Sequence, residues 1–373
     1  MIRPVLYVDL PGIIYSLDRR ARGKQHELAN FVCWLEPVDN RHPLPPILRN
    51  IFPLNPASRT WICEDHWHIL GFAQARERPS RTMWDISYLA SMVNRNISGD
   101  EVLSALLEYI LEMAATHGIL RVFAKVEDEI PELEMFQRMG FQRYARELTY
   151  VYTGHDAGTA THADAHNETD SECKNTPSRA SLLESNDLNL PSLRRWNRHH
   201  VWGLHQLYRA VTPHRVQMAE LLENSEEFAK LHVGSLRGTR FPFWRDSENY
   251  VCDVGVRLGA WMRLCRSHGS APHQLSLMVH PEHADLAEPL LRFGIQRLQQ
   301  ESAQPILCHV REYESSVIAA LRNSGFEQTT TRVLLVRHMA LLAMRPRTVP
   351  SLEQRVAYGV KGLGTVNARQ TMR

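Results

Sequence analysis

Proton transfer near neutral pH needs a carboxylate or an imidazole, and a few of these stand at the ends or in the middle of apolar segments. Asp85 opens the apolar run 85–93, Glu127 and Asp128 follow the run 121–126, and His273 and His309 lie in segments of alternating apolar residues. Any of them could act as a general base; each also has a plainer reading, as a solvated strand-end carboxylate or a hydrogen-bonded core histidine. Metal chemistry has fewer candidates. Cys33, Cys63, Cys173, Cys252, Cys265 and Cys308 are far apart with no Cys-x-x-Cys pair, and His155, His162 and His166 sit in a polar stretch with no ordered second shell. No metal is expected. Residues 237–245 interleave basic and aromatic side chains that could stack a base, grip an acidic acceptor or simply cover a core edge.

Secondary structure has to hold these residues, and the chain supplies it twice. Amphipathic helices are predicted over 10–20 and 201–209, and strand pairs over 60–63 with 70–76 and over 250–254 with 258–263. Longer apolar strands follow at 85–93 and 274–279, both ending in Met-Val. Helices are then predicted over 101–117 and 284–300, each with apolar residues at helical spacing, and lead into strands at 121–126 and 306–311. Each half finishes with a short helix closed by Gly-Phe, at Gly140-Phe141 or Gly325-Phe326, and a last strand, 149–152 or 332–336. Matching positions stay about 185 to 191 residues apart, which points to duplication of one unit.

Composition agrees with two cores. A chain of 373 residues with 43% hydrophobic and 23% charged residues has the material for two globular domains. A net charge of +2 supplies no global field to recruit nucleic acid or anionic membrane, so neither is expected as a partner. The N-terminal apolar stretch is broken by Asp9 and Pro11, and no run reaches membrane-spanning length, so a soluble cytoplasmic protein is expected. Domains are expected at 1–153 and 191–344, joined by a disordered acidic linker, 154–190, and followed by a basic tail, 345–373. Cleavage of that linker should then release two compact fragments.

The order strand, helix pair, three-strand meander, helix, strand, helix, strand, with Gly-Phe closing the last helix, resembles the GNAT superfamily of CoA-dependent N-acetyltransferases. Residues 136–141, Phe-Gln-Arg-Met-Gly-Phe, and 321–326, Leu-Arg-Asn-Ser-Gly-Phe, are similar to that family's ending, and Val279-His280-Pro281-Glu282 to its strand exit. The resemblance covers both halves but neither linker nor tail. It implies an α/β fold of the α+β mixed-sheet type, with two tandem GNAT-like acyl-CoA N-acyltransferase domains.

It also implies a site. Acetyl-CoA or another acyl-CoA would be the donor, and an amine of a small molecule or peptide the acceptor. The pantetheine arm would run along Met92-Val93 or Met278-Val279, where two central strands splay, and the diphosphate would meet the next helix at Ser98 and Gly99 in the first half. Asp85, Glu127 and His309 are the bases the resemblance puts near the acyl group, and His214, Arg215 and Gln217 would face the acceptor. The sequence departs from the family at several points. Ser98, Glu101 and Leu103 replace one basic or amide residue and two small ones, the second loop has no glycine, and Phe136 and Leu321 replace the tyrosine that protonates the leaving thiolate. Of the two halves, the first is expected to keep the donor. A degenerate, non-catalytic GNAT-fold binding or interaction module is the alternative.

Overall fold

The computed structural model describes residues 1–9, 11, 13, 30–34, 58–66, 68–92, 98–154, 193–221, 247–267, 272–300 and 304–339. Residues 155–190 of the expected linker, the tail, the stretch 237–245, Val93 and all but two residues of the helix expected over 10–20 lie outside them. The first half contains β1 (Ile2–Pro4), β2 (Asn30–Trp34), β3 (Ser58–Asp65), β4 (His68–Glu77), β5 (Met83–Ser91), α1 (Gly99–Thr116), β6 (Arg121–Glu127), α2 (Glu132–Arg138) and β7 (Gln142–Tyr152). The second contains β8 (Leu193–Arg195), α3 (Val201–Val211), α4 (His214–Glu220), β9 (Ser247–Val254), β10 (Arg257–Cys265), β11 (His273–Val279), α5 (Ala287–Gln299), β12 (Ile306–Arg311), α6 (Ser315–Asn323) and β13 (Glu327–His338). No helix among the described residues is long and apolar enough to cross a membrane.

Local pattern explains most of these elements. The apolar stripe of α1, Val102, Leu103, Leu106, Leu107, Ile110, Leu111 and Ala114, is entirely buried against the sheet. Strand β5 is covered on both faces, by α1 on one side and by the cluster of Ile13, Ile62 and Phe72 on the other, which is why its sequence is almost continuously apolar. The second long helix starts at Ala287, later than its periodicity suggests, because Pro281–Leu286 is a 3-10 segment with His283 in a non-helical conformation. Strand β5 ends at Ser91, two residues short of the expected Met-Val.

The Gly-Phe pairs have one physical cause. Gly140 and Gly325 both have φ of +81°, a left-handed conformation that other residues adopt at a cost. Their N–H groups donate to Gln137 O and Arg322 O, and those of Phe141 and Phe326 to Phe136 O and Leu321 O, closing the paired bonds of a Schellman turn. Each phenylalanine is then buried in the core of its half.

All thirteen strands form one sheet, in the order β1-β3-β4-β5-β2-β6-β13-β7-β12-β11-β10-β9-β8. Apart from β2, the order is a palindrome, with matching strands of the two halves at matching distances from a centre between β13 and β7. The last strands have therefore changed places: β13 pairs with β6 of the first half, and β7 with β12 of the second. Val333 and Leu335 of β13 belong to the first core, Tyr150 of β7 to the second, and the Arg337 guanidinium donates to the Met139 carbonyl at the end of α2. This exchange corrects the expectation of two fragments separable by linker cleavage, since each core needs a strand from the other half.

Candidate functional site

Strand exchange brings charged side chains from both halves to one seam. Strand β12 commits Ile306, Cys308 and Val310 to the core beneath α5 and α6, so His309 and Arg311 face the other way. By the same alternation, Val122, Ala124 and Val126 of β6 face the core beneath α1 and α2, leaving Lys125 and Glu127 on the opposite face. Across four strands the register aligns Glu127, Arg332, Glu147 and Arg311 in a row of alternating sign. Helix α4 lies over this face. Its Ala219 packs on Met83, Phe123 and Val336, its Val216 on Ala145 and Leu334, and Arg121 donates to the Met218 and Ala219 carbonyls at 2.8 Å.

The seam is a linked set of buried polar groups. Lys125 Nζ donates to Glu147 Oε1 at 2.7 Å, and Arg311 lies 3.8 Å from Glu147 and 3.4 Å from Glu220. Tyr208 OH donates to the other Glu220 oxygen at 2.8 Å, and Tyr144 OH to the first at 3.4 Å. Burial opposes the charge on Glu147, yet Lys125 and Arg311 hold its carboxyl well below the usual range. Burial pushes the Tyr208 hydroxyl far up, and the Glu220 carboxylate adds to the shift.

Two proton acceptors stand at the end of β12. His309 Nδ1 is 3.1 Å from Thr149 Oγ1, on exchanged strand β7, and burial lowers its pKa to about 4 despite Glu147 nearby, so the ring is neutral at pH 7. Glu314 immediately precedes α6 and accepts the Arg311 backbone N–H at 2.8 Å. Burial outweighs that bond and raises its carboxyl to about 7.

The two halves differ at their central strands. Strands β11 and β12 run parallel through His273↔Ile306, Gln274↔Leu307 and Leu275↔Cys308 and then part, and among the described residues no strand fills the opening. In the first half, β5 and β6 pair from Met83↔Arg121 to Asp85↔Phe123, but β2 enters the gap beyond. It pairs Asn30 with Ser91, Phe31 with Ala90 and Cys33 with Leu89, and reaches β6 at Val126. The β5 edge expected to receive pantetheine is thus taken by the chain itself.

The individual candidates fare unequally. Asp85 is locked in an ion pair with Arg78, 2.7 and 2.9 Å from two guanidinium nitrogens, and Asp128 pairs with Arg146 at 3.1 Å. Glu127 lies on the charged row opposite Arg332. His273 is buried and accepts the Ser267 N–H, a structural role. Met92 is buried with Phe72 and Tyr88 rather than lining an open edge. Ser98 precedes α1 without a side-chain capping bond, and Gly99 begins a first turn that carries Asp100 and Glu101, which repel a diphosphate. In the second half, Met278 and Val279 lie beyond the point where β11 and β12 part, and Glu282, Asp285 and Glu288 are the acids of the segment that follows. Phe136 and Leu321 are fully buried. Of the acceptor-facing residues, Gln217 donates to Arg209 O and Thr212 O, Arg215 donates to Arg143 O, and His214 is exposed. Asp85, Glu127 and His309 are not brought together.

Lys125, Glu147, Glu220, Arg311 and Glu314 escaped the sequence reading. A single charged residue inside an apolar strand, as at Lys125, marks a buried partner and could have been used; nothing in the sequence pairs Lys125 with Glu147.

No family model matches the chain, and no curated protein matches its sequence. Among solved structures it is similar to a tandem GNAT protein from the clavulanic acid biosynthesis pathway, solved without acetyl-CoA, at 17% identity and a TM-score of 0.56 over 91% of this chain and 98% of that one. It is also similar to a GCN5-related N-acetyltransferase from Sphaerobacter thermophilus, at 10% identity and a TM-score of 0.53 over 91% and 95%. The fold is that of a tandem GNAT protein.

Proposed function

We propose that the protein transfers an acyl group from an acyl-CoA to an amine of a small molecule or peptide, in the cleft of its second half. The observation that carries this reading is the parting of β11 and β12 after Leu275↔Cys308, with Glu314 and His309 at the end of β12. An extended pantetheine arm finds an unfilled strand edge at 276–279, whereas β2 covers its counterpart in the first half. The amine nitrogen attacks the thioester carbonyl carbon, the C–S bond breaks, and the sulfur leaves as thiolate. Burial raises the Glu314 carboxyl to about 7 and lowers the His309 imidazole to about 4, which makes Glu314 the better base. Glu314 takes the proton the amine loses and passes it to the thiolate, standing in for the tyrosine that Phe136 and Leu321 replace. Thr149 and Glu147 of the first half hold His309 and Arg311, so this site uses both halves.

The test is release of free thiol from acetyl-CoA with a panel of primary amines. Thiol release is expected, with kcat falling about a hundredfold or more in Glu314→Gln while KM moves little. A second reading, a non-catalytic binding module, is favoured by the acidic turns at both phosphate positions. It is the one that stands if no amine supports release and acetyl-CoA does not bind.

A further inference from the structure

We propose that His280, Glu282 and His283 form a binding site for one divalent transition-metal ion of the Zn2+ type, at the exit of β11. One ligand atom from each residue lies within 4.8 Å of the others. The His280 Nδ1 accepts the Glu282 N–H at a long 3.2 Å, a weak bond that an ion on that nitrogen would displace. It stands 4.0 Å from Glu282 Oε2. Ligand atoms around a tetrahedral zinc with bonds of about 2.0–2.1 Å are about 3.3 Å apart, so this pair closes with less than about 1 Å of movement and a separation at the 4.8 Å limit with about 1.5 Å. Glu282 is free to make it, being 76% exposed.

The backbone prepares the second imidazole. His283 N–H donates to His280 O at 2.9 Å, closing a turn that sets the two rings 5.6 Å apart between centroids. His283 itself leaves helical geometry, with φ −123° and ψ 40°. Its ring rests against β10 at Gly259, where a Cβ would stand 3.5 Å from His283 Cδ2. His280 N–H donates to Gly259 O at 2.8 Å, anchoring the start of the turn to the same strand. Two imidazoles and one carboxylate favour a zinc-like ion over Mg2+ or Ca2+, and three protein ligands leave a position open for water or an oxygen of an anionic ligand.

The test is calorimetric titration of the chelator-treated full chain with zinc chloride alone. Because other histidines also take up zinc, the readout is a difference. Wild type is expected to bind one equivalent more than His280→Ala/His283→Ala, and zinc should raise the melting temperature of wild type only. Glu282→Gln changes an exposed side chain, so the fold is kept, and it should weaken that equivalent roughly tenfold or more. Equal stoichiometry and affinity in wild type and Glu282→Gln would overturn the proposal, whether or not the double variant folds.

Discussion

Glu147 and Glu314 both neighbour Arg311, yet their surroundings drive them in opposite directions. Both are desolvated; Glu147 has Lys125 and Arg311 against it, while Glu314 has mainly the Arg311 backbone N–H to offset burial. The carboxyl of Glu314 therefore rises from the ordinary 4.5 to about 7. In the folded chain it keeps a proton that the unfolded chain has already released. The stability it contributes is fully present below about pH 4.5 and is lost as the pH rises through about 7. Melting temperatures measured from about pH 4.5 to 8 should fall with rising pH more steeply in wild type than in Glu314→Gln. Parallel curves would mean that Glu314 titrates normally. No sequence feature marks Glu314, because its shift comes from burial created by packing.

At the scale of elements, periodicity made β5, β6, β11, β12 and most of α1 and α5 legible. The last strands are much longer than the sequence predicts. Only 149–152 and 332–336 look like strands, yet β7 runs from Gln142 and β13 from Glu327. Their polar residues interrupt the apolar pattern: Glu147 and Arg332 face charges on neighbouring strands, and Arg146 pairs with Asp128 just beyond β6. The sequence predicts no strand at Asn30–Trp34 either, since the identity of β2 depends on the gap it fills. The Gly-Phe ending, by contrast, was legible because its cause is local. Gly325→Ala should cost about 1–2 kcal/mol in denaturant unfolding, since alanine must adopt the left-handed φ of +81°. A change near zero would mean that the turn relaxes without its left-handed residue.

The duplication was legible in the whole molecule, but the exchange of β7 and β13 was not, because sequence pattern sets which segments are strands and not which strands they join. The exchange makes the halves one cooperative object. A protease site inserted between residues 155 and 190 and then cut should leave fragments that co-elute in size-exclusion chromatography and part only in denaturant; separation without denaturant would contradict the strand order. It also shapes the proposed chemistry, since Thr149 and Glu147 reach the second-half cleft only through the exchanged β7. The central claim is that this cleft, and not that of the first half, receives the acyl donor. Hydrogen–deuterium exchange of the full chain with and without acetyl-CoA tests it most directly. Slower exchange is expected in residues 276–283 and 309–316, with residues 88–92 and 98–104 unchanged. Protection confined to the first-half segments, or protection in neither half, would contradict the account.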